Sequence, residues 1–187
     1  MTKSYFPYLL LLLVSFEGLS QTRTQTTLDY QNRIHPEISS DYMVVSQNTH
    51  PTEAGYEILI KGGNAVDASV AVGFALAVTL PRAGNLGGGG FVLIYDKEKD
   101  DVSSIDYRSA APKSSTSDLF IQDNSVVRFG YLVNAVPGSV AGLLKAHRDH
   151  GTMPLVDLLM PSIRLARDGF EVTHDLNYVL ELSLIHI

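Results

Sequence analysis

Hydrophobic residues along the chain recur in several patterns, and each predicts its own kind of element. A short apolar run at Tyr42, Met43, Val44 and Val45 predicts a strand over 42–46. From Pro51 the spacing becomes helical, through Tyr56, Leu59 and Ile60, and it stops at Lys61-Gly62-Gly63, a cation followed by glycines. Pro51 suits the first helical position, and Glu53 and Glu57 suit the early turns. A second helix follows over 65–80, with Asn64 as its cap and Asp67 near the positive end of its dipole. This helix is apolar nearly all round and rich in Ala, Gly, Ser and Val. Such a stretch is buried, and its small side chains let neighbours approach closely. It is shorter than a membrane-crossing helix and carries Asp67, so a core helix is expected. Pro81 ends it.

The stretch PRAGNLGGGG at 81–90 follows, and it runs directly into an apolar strand over 91–95. The charged residues 96–101 predict a solvated turn and 102–108 a second strand, so the two strands read as a hairpin. Residues 109–117 read as loop, with one helical turn over 118–121. A helix opens after Gly138-Ser139, runs through Ala146 and closes at Gly151. Another covers 155–167, with Pro161 expected to kink or split it. Hairpin-linked strands with helices in runs favour an α+β fold over a doubly wound sheet.

Four glycines in a row are costly to order, so something there needs bare backbone. A phosphate cradle runs strand, glycine turn, helix, with the helix N-terminus facing the anion. Here the order is helix, glycine turn, strand, and Gly-Lys-Ser/Thr is absent, so that reading fails. The run is expected instead to be a bare-backbone crossing between the buried helix and the hairpin, intolerant of a side chain at Gly88.

Other candidate chemistry is thin. His147 and His150 lie three apart near a helix end, a possible metal pair without an accompanying carboxylate signature, or two histidines beside free carbonyls. Ser139 lacks the flanking glycines of a nucleophile elbow and reads as a helix N-terminal residue. Arg108 closes the second strand, with Asp106 and Arg108 on one face and Ile105 and Tyr107 on the other. It can grip a substrate carboxylate through two parallel hydrogen bonds, or pair with Asp106 or Glu98. A net charge of −6 argues against a nucleic-acid partner. The absence of cysteine excludes disulfides, thiolate metal sites and a cysteine nucleophile within these residues.

Several motifs, in order, resemble the γ-glutamyltranspeptidase (glutathione hydrolase) family. They are Met43-Val44-Val45-Ser46, Gly62-Gly63-Asn64-Ala65-Val66-Asp67-Ala68, Ala83 through Phe91, and Ile105-Asp106-Tyr107-Arg108 with Ala111-Pro112. Val136-Pro137-Gly138, Val140-Ala141-Gly142, Gly151-Thr152-Met153-Pro154 and Leu165 through Phe170 continue the match. The resemblance implies part of an αββα sandwich of the N-terminal-nucleophile hydrolase type. It also implies an enzyme without a cofactor, whose precursor cuts itself into large and small subunits. The new N-terminal threonine of the small subunit would be the nucleophile, passing a γ-glutamyl group from glutathione and related amides to water, amino acids or dipeptides. Arg108 matches the arginine that binds the substrate α-carboxylate. The residue after it is commonly glutamate in that family and is Ser109 here. Thr49-His50 and Thr173-His174 lack the processing-site context, so the nucleophile is expected beyond residue 187. A related glutaryl-cephalosporin or poly-γ-glutamate enzyme stays open as an alternative. So does a non-catalytic exported binding protein, should the threonine be absent.

Both ends carry expectations of their own. Lys3 precedes an apolar run over 5–16, and Gly18-Leu19-Ser20 places small residues before a cut at Gln21. That is the pattern of a secretory signal peptide over 1–20, with an uncleaved membrane anchor as the alternative. The protein is accordingly expected in the periplasm or outside the cell. A mobile polar lead-in is expected over 21–41, and the N-terminal portion of the large subunit over 42–181. Residues 182–187 resemble a translated sequencing-library adapter, so the chain is expected to be the front part of a longer protein.

Overall fold

The computed structural model describes residues 37–122 and 134–184. The expected signal peptide lies outside them, as does most of the lead-in. Contacts divide the chain into Met1–Ser39 and Ser40–Ile187. Of the first unit, residues 37–39 are described; they are exposed and without regular structure.

The second unit is built around one helix. In chain order it contains α1 (Thr49–Ile60), α2 (Ala65–Thr79), β1 (Phe91–Asp96), β2 (Asp101–Asp106), α3 (Ser117–Gln122), α4 (Ser139–His150), α5 (Leu155–Asp168) and α6 (His174–Leu184). Helix α2 packs against α1, α4 and α5. Its Val66, Ala68, Val70 and Ala71 share a buried cluster with Ile58 of α1, Ile105 of β2, Ala146 of α4 and Leu158 of α5. Small side chains on α2 make this possible, because four elements cannot close on one helix whose surface is bulky. The strands β1 and β2 pair antiparallel, with Phe91 opposite Asp106 and Asp96 opposite Asp101. Alternation then turns Val92, Ile94 and Ile105 towards the helices and Phe91, Leu93 and Tyr95 outward. The result is α+β, a helical layer against one face of a hairpin.

The termini of the first two helices follow from their sequence. Gly62 has φ +94°, the left-handed conformation that glycine tolerates best. The Gly62 N–H donates to the Leu59 carbonyl and the Gly63 N–H to the Ile58 carbonyl, which is the Schellman closure of α1. Asn64 then caps α2, its Oδ1 accepting from the N–H groups of Val66 and Asp67, while Asp67 Oδ2 accepts from the Asn64 N–H. This reciprocal capping box starts α2 at Ala65.

Asp67 does more than cap. It is fully buried, and its oxygens also accept from the Thr152 hydroxyl at 2.6 Å and from the backbone N–H groups of Thr152 and Met153. Asn64 Nδ2 donates to the His150 carbonyl at 2.7 Å. The start of α2 therefore fastens the α4–α5 connection, 85 positions away. Burial pushes the Asp67 carboxyl up, but the bonds from Thr152, Asn64 and Met153 outweigh it and hold the group below its ordinary value.

Several expectations need correction. Residues 42–46 form no strand, because no partner strand among the described residues supplies a ladder. Side-chain packing fixes the segment instead: the Tyr42 ring lies 5.9 Å from that of Tyr56, and Val44 lies against Gly55. Helix α1 begins at Thr49 rather than Pro51. Pro51 is its third residue, still within the first turn, where an N–H has no intrahelical acceptor. Pro161 does not split α5, which runs unbroken over fourteen residues with Pro161 buried beside Leu158 and Ser162. Packing of that face outweighs the lost hydrogen bond, which costs about 3 kcal/mol in an isolated helix. The turn expected over 118–121 is the helix α3. Helix α6 runs through Leu184 and so takes in residues 182–184 of the expected tail, while 185–187 lie outside the described residues.

Because the folded carboxyl of Asp67 is held below its ordinary value, its stabilisation is full above about pH 4 and fades as the pH falls towards the folded value. Asp67→Asn in the full-length protein should therefore lower stability by about 1.5–3 kcal/mol at pH 7. The deficit, read from urea midpoints, should shrink as the pH falls below about 4. A deficit that does not change with pH would contradict this role.

Candidate functional site

The crossing from α2 to β1 begins as two turns. The N–H groups of Ala83 and Gly84 donate to the Leu80 carbonyl, and Asn85 Nδ2 donates to the Pro81 carbonyl at 3.0 Å. Arg82 leaves this loop to pair with Asp175 at the start of α6, N to O 2.6 Å. Helix, glycine turn and strand follow in that order, so the run does not itself lead into a helix as a phosphate cradle does, and the exclusion of a phosphate cradle stands.

Close approach explains two of the four glycines, Gly89 and Gly90. A methyl group at Gly89 would collide with the Ser109 nitrogen. It would also lie 2.6 Å from the Tyr107 carbonyl oxygen and 2.8 Å from the Arg108 carbonyl carbon. At Gly90 it would meet the Tyr107 ring at 2.9 Å. Gly88 is different. A methyl there meets Asn85 at ordinary distance, and the role of Gly88 lies in its carbonyl, which accepts from the Gly138 N–H at 2.9 Å and the Ser139 N–H at 3.0 Å. These donors at the start of α4 have no side-chain cap, and the glycine run supplies the acceptor they lack. The bare-backbone crossing is thus found, but its tightest position is Gly89 and not Gly88.

Glycines from the start of α4 also crowd the end of β2. A methyl at Gly138 would collide with the Tyr107 carbonyl oxygen, and one at Gly142 with Tyr107 Cβ, Cγ and Cδ1. Gly138 is the N-cap of α4 and Gly142 lies four residues on, so both come to the same side at the start of the helix. The Tyr107 carbonyl is consequently packed against both Gly89 and Gly138, the Tyr107 side chain against Gly90 and Gly142, and the Arg108–Ser109 peptide against Gly89. Tyr107 pairs with Gly90 through reciprocal backbone bonds of 3.0 and 3.4 Å, and Ala110 pairs with Val136 through bonds of 3.1 and 2.8 Å. Arg108 sits between these two fixed points.

Arg108 lies two residues past the end of β2, exposed, opposite in sense to the half-buried Tyr107. Asp106 does not pair with its guanidinium. The carboxylate instead accepts from the Arg108 backbone N–H at 2.8 Å. Among the described residues, the ion pair of the hairpin joins Lys99 to Asp96, and none involves Arg108. The geometry thus sets aside the ion-pair alternatives with Asp106 and Glu98 and presents a charged, planar donor at a rigid point.

The remaining candidates are placed elsewhere. His147 Nε2 contacts the Met153 carbonyl at 2.8 Å, whereas His150 Nε2 lies 3.4 Å from the Ser103 hydroxyl. The two rings serve different partners, and no group of three metal-type ligands exists among the described residues. Ser139 is the first residue of α4, and Thr49 the first of α1. The Thr173 hydroxyl accepts from the Leu176 N–H at 3.2 Å and so caps α6. No described helix is long and apolar enough to cross a membrane. Sequence reasoning missed the Gly138–Gly142 pair and Tyr107. The available signal was Gly142, a glycine inside a helix, where it disfavours helix formation and so points to a close neighbour.

Comparisons with known proteins agree on one family. The family model for gamma-glutamyltranspeptidase matches residues 51–186. The chain is 47% identical over 143 residues to a glutathione hydrolase proenzyme of Escherichia coli, covering 74% of this chain and 24% of that protein. Among solved structures, the gamma-glutamyltranspeptidase of Helicobacter pylori superposes with a TM-score of 0.74 at 35% identity, over 80% of this chain and 44% of that one. The Pseudomonas nitroreducens gamma-glutamyltranspeptidase complexed with L-DON gives 0.72 at 36% identity, over 79% and 45%. The chain thus spans about a quarter of the length of the curated relative it matches.

A side chain at Gly89 meets backbone that cannot rotate away, whereas one at Gly88 meets Asn85 and the Ser139 hydroxyl at ordinary van der Waals distance. Gly89→Ala should therefore abolish soluble full-length protein or cut its yield at least several-fold, while Gly88→Ala leaves yield and melting temperature near the wild type. Equal tolerance at the two positions would contradict the clamp.

Proposed function

The chain belongs to the γ-glutamyltranspeptidase family, and on that footing we propose that the full-length protein transfers γ-glutamyl groups from glutathione and related amides to water, amino acids or dipeptides. The observation that carries this reading is Arg108: an exposed guanidinium on clamped backbone, facing away from the helical layer. A guanidinium offers two parallel N–H donors to a carboxylate, and the γ-glutamyl group carries an α-carboxylate at a fixed distance from its scissile carbonyl. Binding that carboxylate sets the carbonyl in place for attack.

The attacking group belongs to the part of the precursor outside these residues. The threonine hydroxyl adds to the γ-carbonyl while its own α-amine takes the proton. The amide C–N bond then breaks, the departing amine accepts that proton, and a γ-glutamyl ester remains. Backbone donors stabilise the oxyanion at each addition. Water or an acceptor amine then opens the ester and restores the hydroxyl. The chemistry is acyl transfer by side chains and main chain alone, without a cofactor.

The outer face of the hairpin supports a precursor in two parts. Phe91, Leu93, Tyr95 and Val102 are between 60% and 76% exposed on a sheet of two strands, far more apolar surface than a finished face presents. The small subunit of the same precursor is the partner proposed to cover it. The leader over 1–20 would deliver the precursor to the periplasm or beyond.

Two outcomes test this reading. The isolated 187-residue chain should release no p-nitroaniline from γ-glutamyl-p-nitroanilide and should aggregate through its uncovered face. In the full-length protein, Arg108→Lys keeps the charge but loses the fork, and should raise KM for that donor at least tenfold. Indifference to Arg108→Lys would point to a substrate without an α-carboxylate, as a glutaryl amide would be.

A further inference from the structure

Tyr107 is half-buried and has no part in the chemistry just described, yet three positions on two segments of the chain give up side chains to make room for it. Its ring edge lies against Gly90, its Cβ, Cγ and Cδ1 lie against Gly142, and its carbonyl group lies against Gly138. Gly142 is inside a helix, where alanine would be favoured on propensity, so the missing methyl group is a condition set by the ring. Burial pushes the Tyr107 phenol up, and the ring enters the socket as a neutral, largely apolar body.

The neighbouring backbone has little else to hold it. Strand β2 ends at Asp106, and past the Tyr107–Gly90 pair the next backbone pair is Ala110 with Val136. Between these points the Arg108 N–H is bound only by the carboxylate of Asp106, two residues back in the same strand. Adjacent strand residues point to opposite faces, so a ring fixed on the inner face determines where the next side chain leaves on the outer face. We propose that Tyr107 is a positioning residue: seated in the socket formed by Gly90, Gly138 and Gly142, it sets the direction from which Arg108 meets the α-carboxylate of the γ-glutamyl donor. The inference rests on the reading of Arg108 as the carboxylate anchor.

The test uses the full-length protein and steady-state kinetics with γ-glutamyl-p-nitroanilide, alongside melting temperatures. Tyr107→Ala empties the socket and should raise KM roughly tenfold, as a displacement of under an ångström does to a positioned group. kcat should fall much less, since the carboxylate contact is shared by bound substrate and transition state. Tyr107→Phe keeps the ring and should restore KM. Gly90→Ala pushes the ring out from its edge and should also raise KM, but should add nothing in the Tyr107→Ala background. If Tyr107→Ala lowers only the melting temperature while Arg108→Lys raises KM, Tyr107 is merely structural and the inference falls. If Arg108→Lys leaves KM unchanged, the carboxylate reading itself is wrong, and the inference falls with it. Should Tyr107→Ala not fold, Gly90→Ala decides alone: a raised KM supports the socket and an unchanged KM overturns it.

Discussion

The chain at the end of β2 is packed against glycines of two other segments: Tyr107 meets both, the Arg108–Ser109 peptide meets Gly89, and at these positions there is no room for a Cβ. Close packing of this kind acts through hard repulsion, which rises steeply with small displacements, so it fixes backbone more tightly than a single hydrogen bond can. The rest of the unit is arranged to keep those segments in place. Helix α2 delivers the glycine run at one end, and at its other end the buried Asp67 fastens the loop that follows α4. Helix α4 is thereby tied at both termini, through His150 to Asn64 and through Gly138 and Ser139 to the Gly88 carbonyl. A helix held at both ends can press its Gly138–Gly142 face against β2 without sliding.

This arrangement separates stability from function along one strand. The inner face of the hairpin carries Val92, Ile94, Ile105 and Tyr107 into the core, while Arg108 is left exposed past the end of β2. Because alternation links the two faces, the core that stabilises the hairpin also orients the arginine. The energetic logic favours arginine at this position: a guanidinium held on rigid backbone loses less freedom on gripping a carboxylate than a free surface side chain would.

Local signals in the sequence were legible where the element depends on its own residues. The capping pair Asn64 and Asp67, the Gly62-Gly63 stop, the hairpin around 96–101 and the helix opening at Ser139 are all written within a few positions of each other, and the structure places them there. The strand expected over 42–46 failed because pairing needs a partner that periodicity in the strand itself cannot reveal. The second role of Asp67 was hidden for a related reason: its partner Thr152 is 85 positions away, and nothing near Asp67 announces it. The glycine run was read correctly as a packing device, but which of the four glycines is tight depends on where Ser109 lies in space. Family resemblance supplied the proposed role of Arg108. The residues alone left an ion pair open, and geometry set it aside by turning Asp106 to the arginine's own backbone N–H.

The central claim is that clamped backbone presents Arg108 as the anchor for a substrate α-carboxylate. A crystal structure of the full-length, processed protein with L-glutamate bound tests it most directly. The account predicts both guanidinium donors of Arg108 within hydrogen-bond distance of the two α-carboxylate oxygens, with the backbone of Tyr107 to Ser109 unchanged from its position against the glycines. A bound glutamate whose α-carboxylate is held by other residues, with Arg108 turned to solvent, would contradict it.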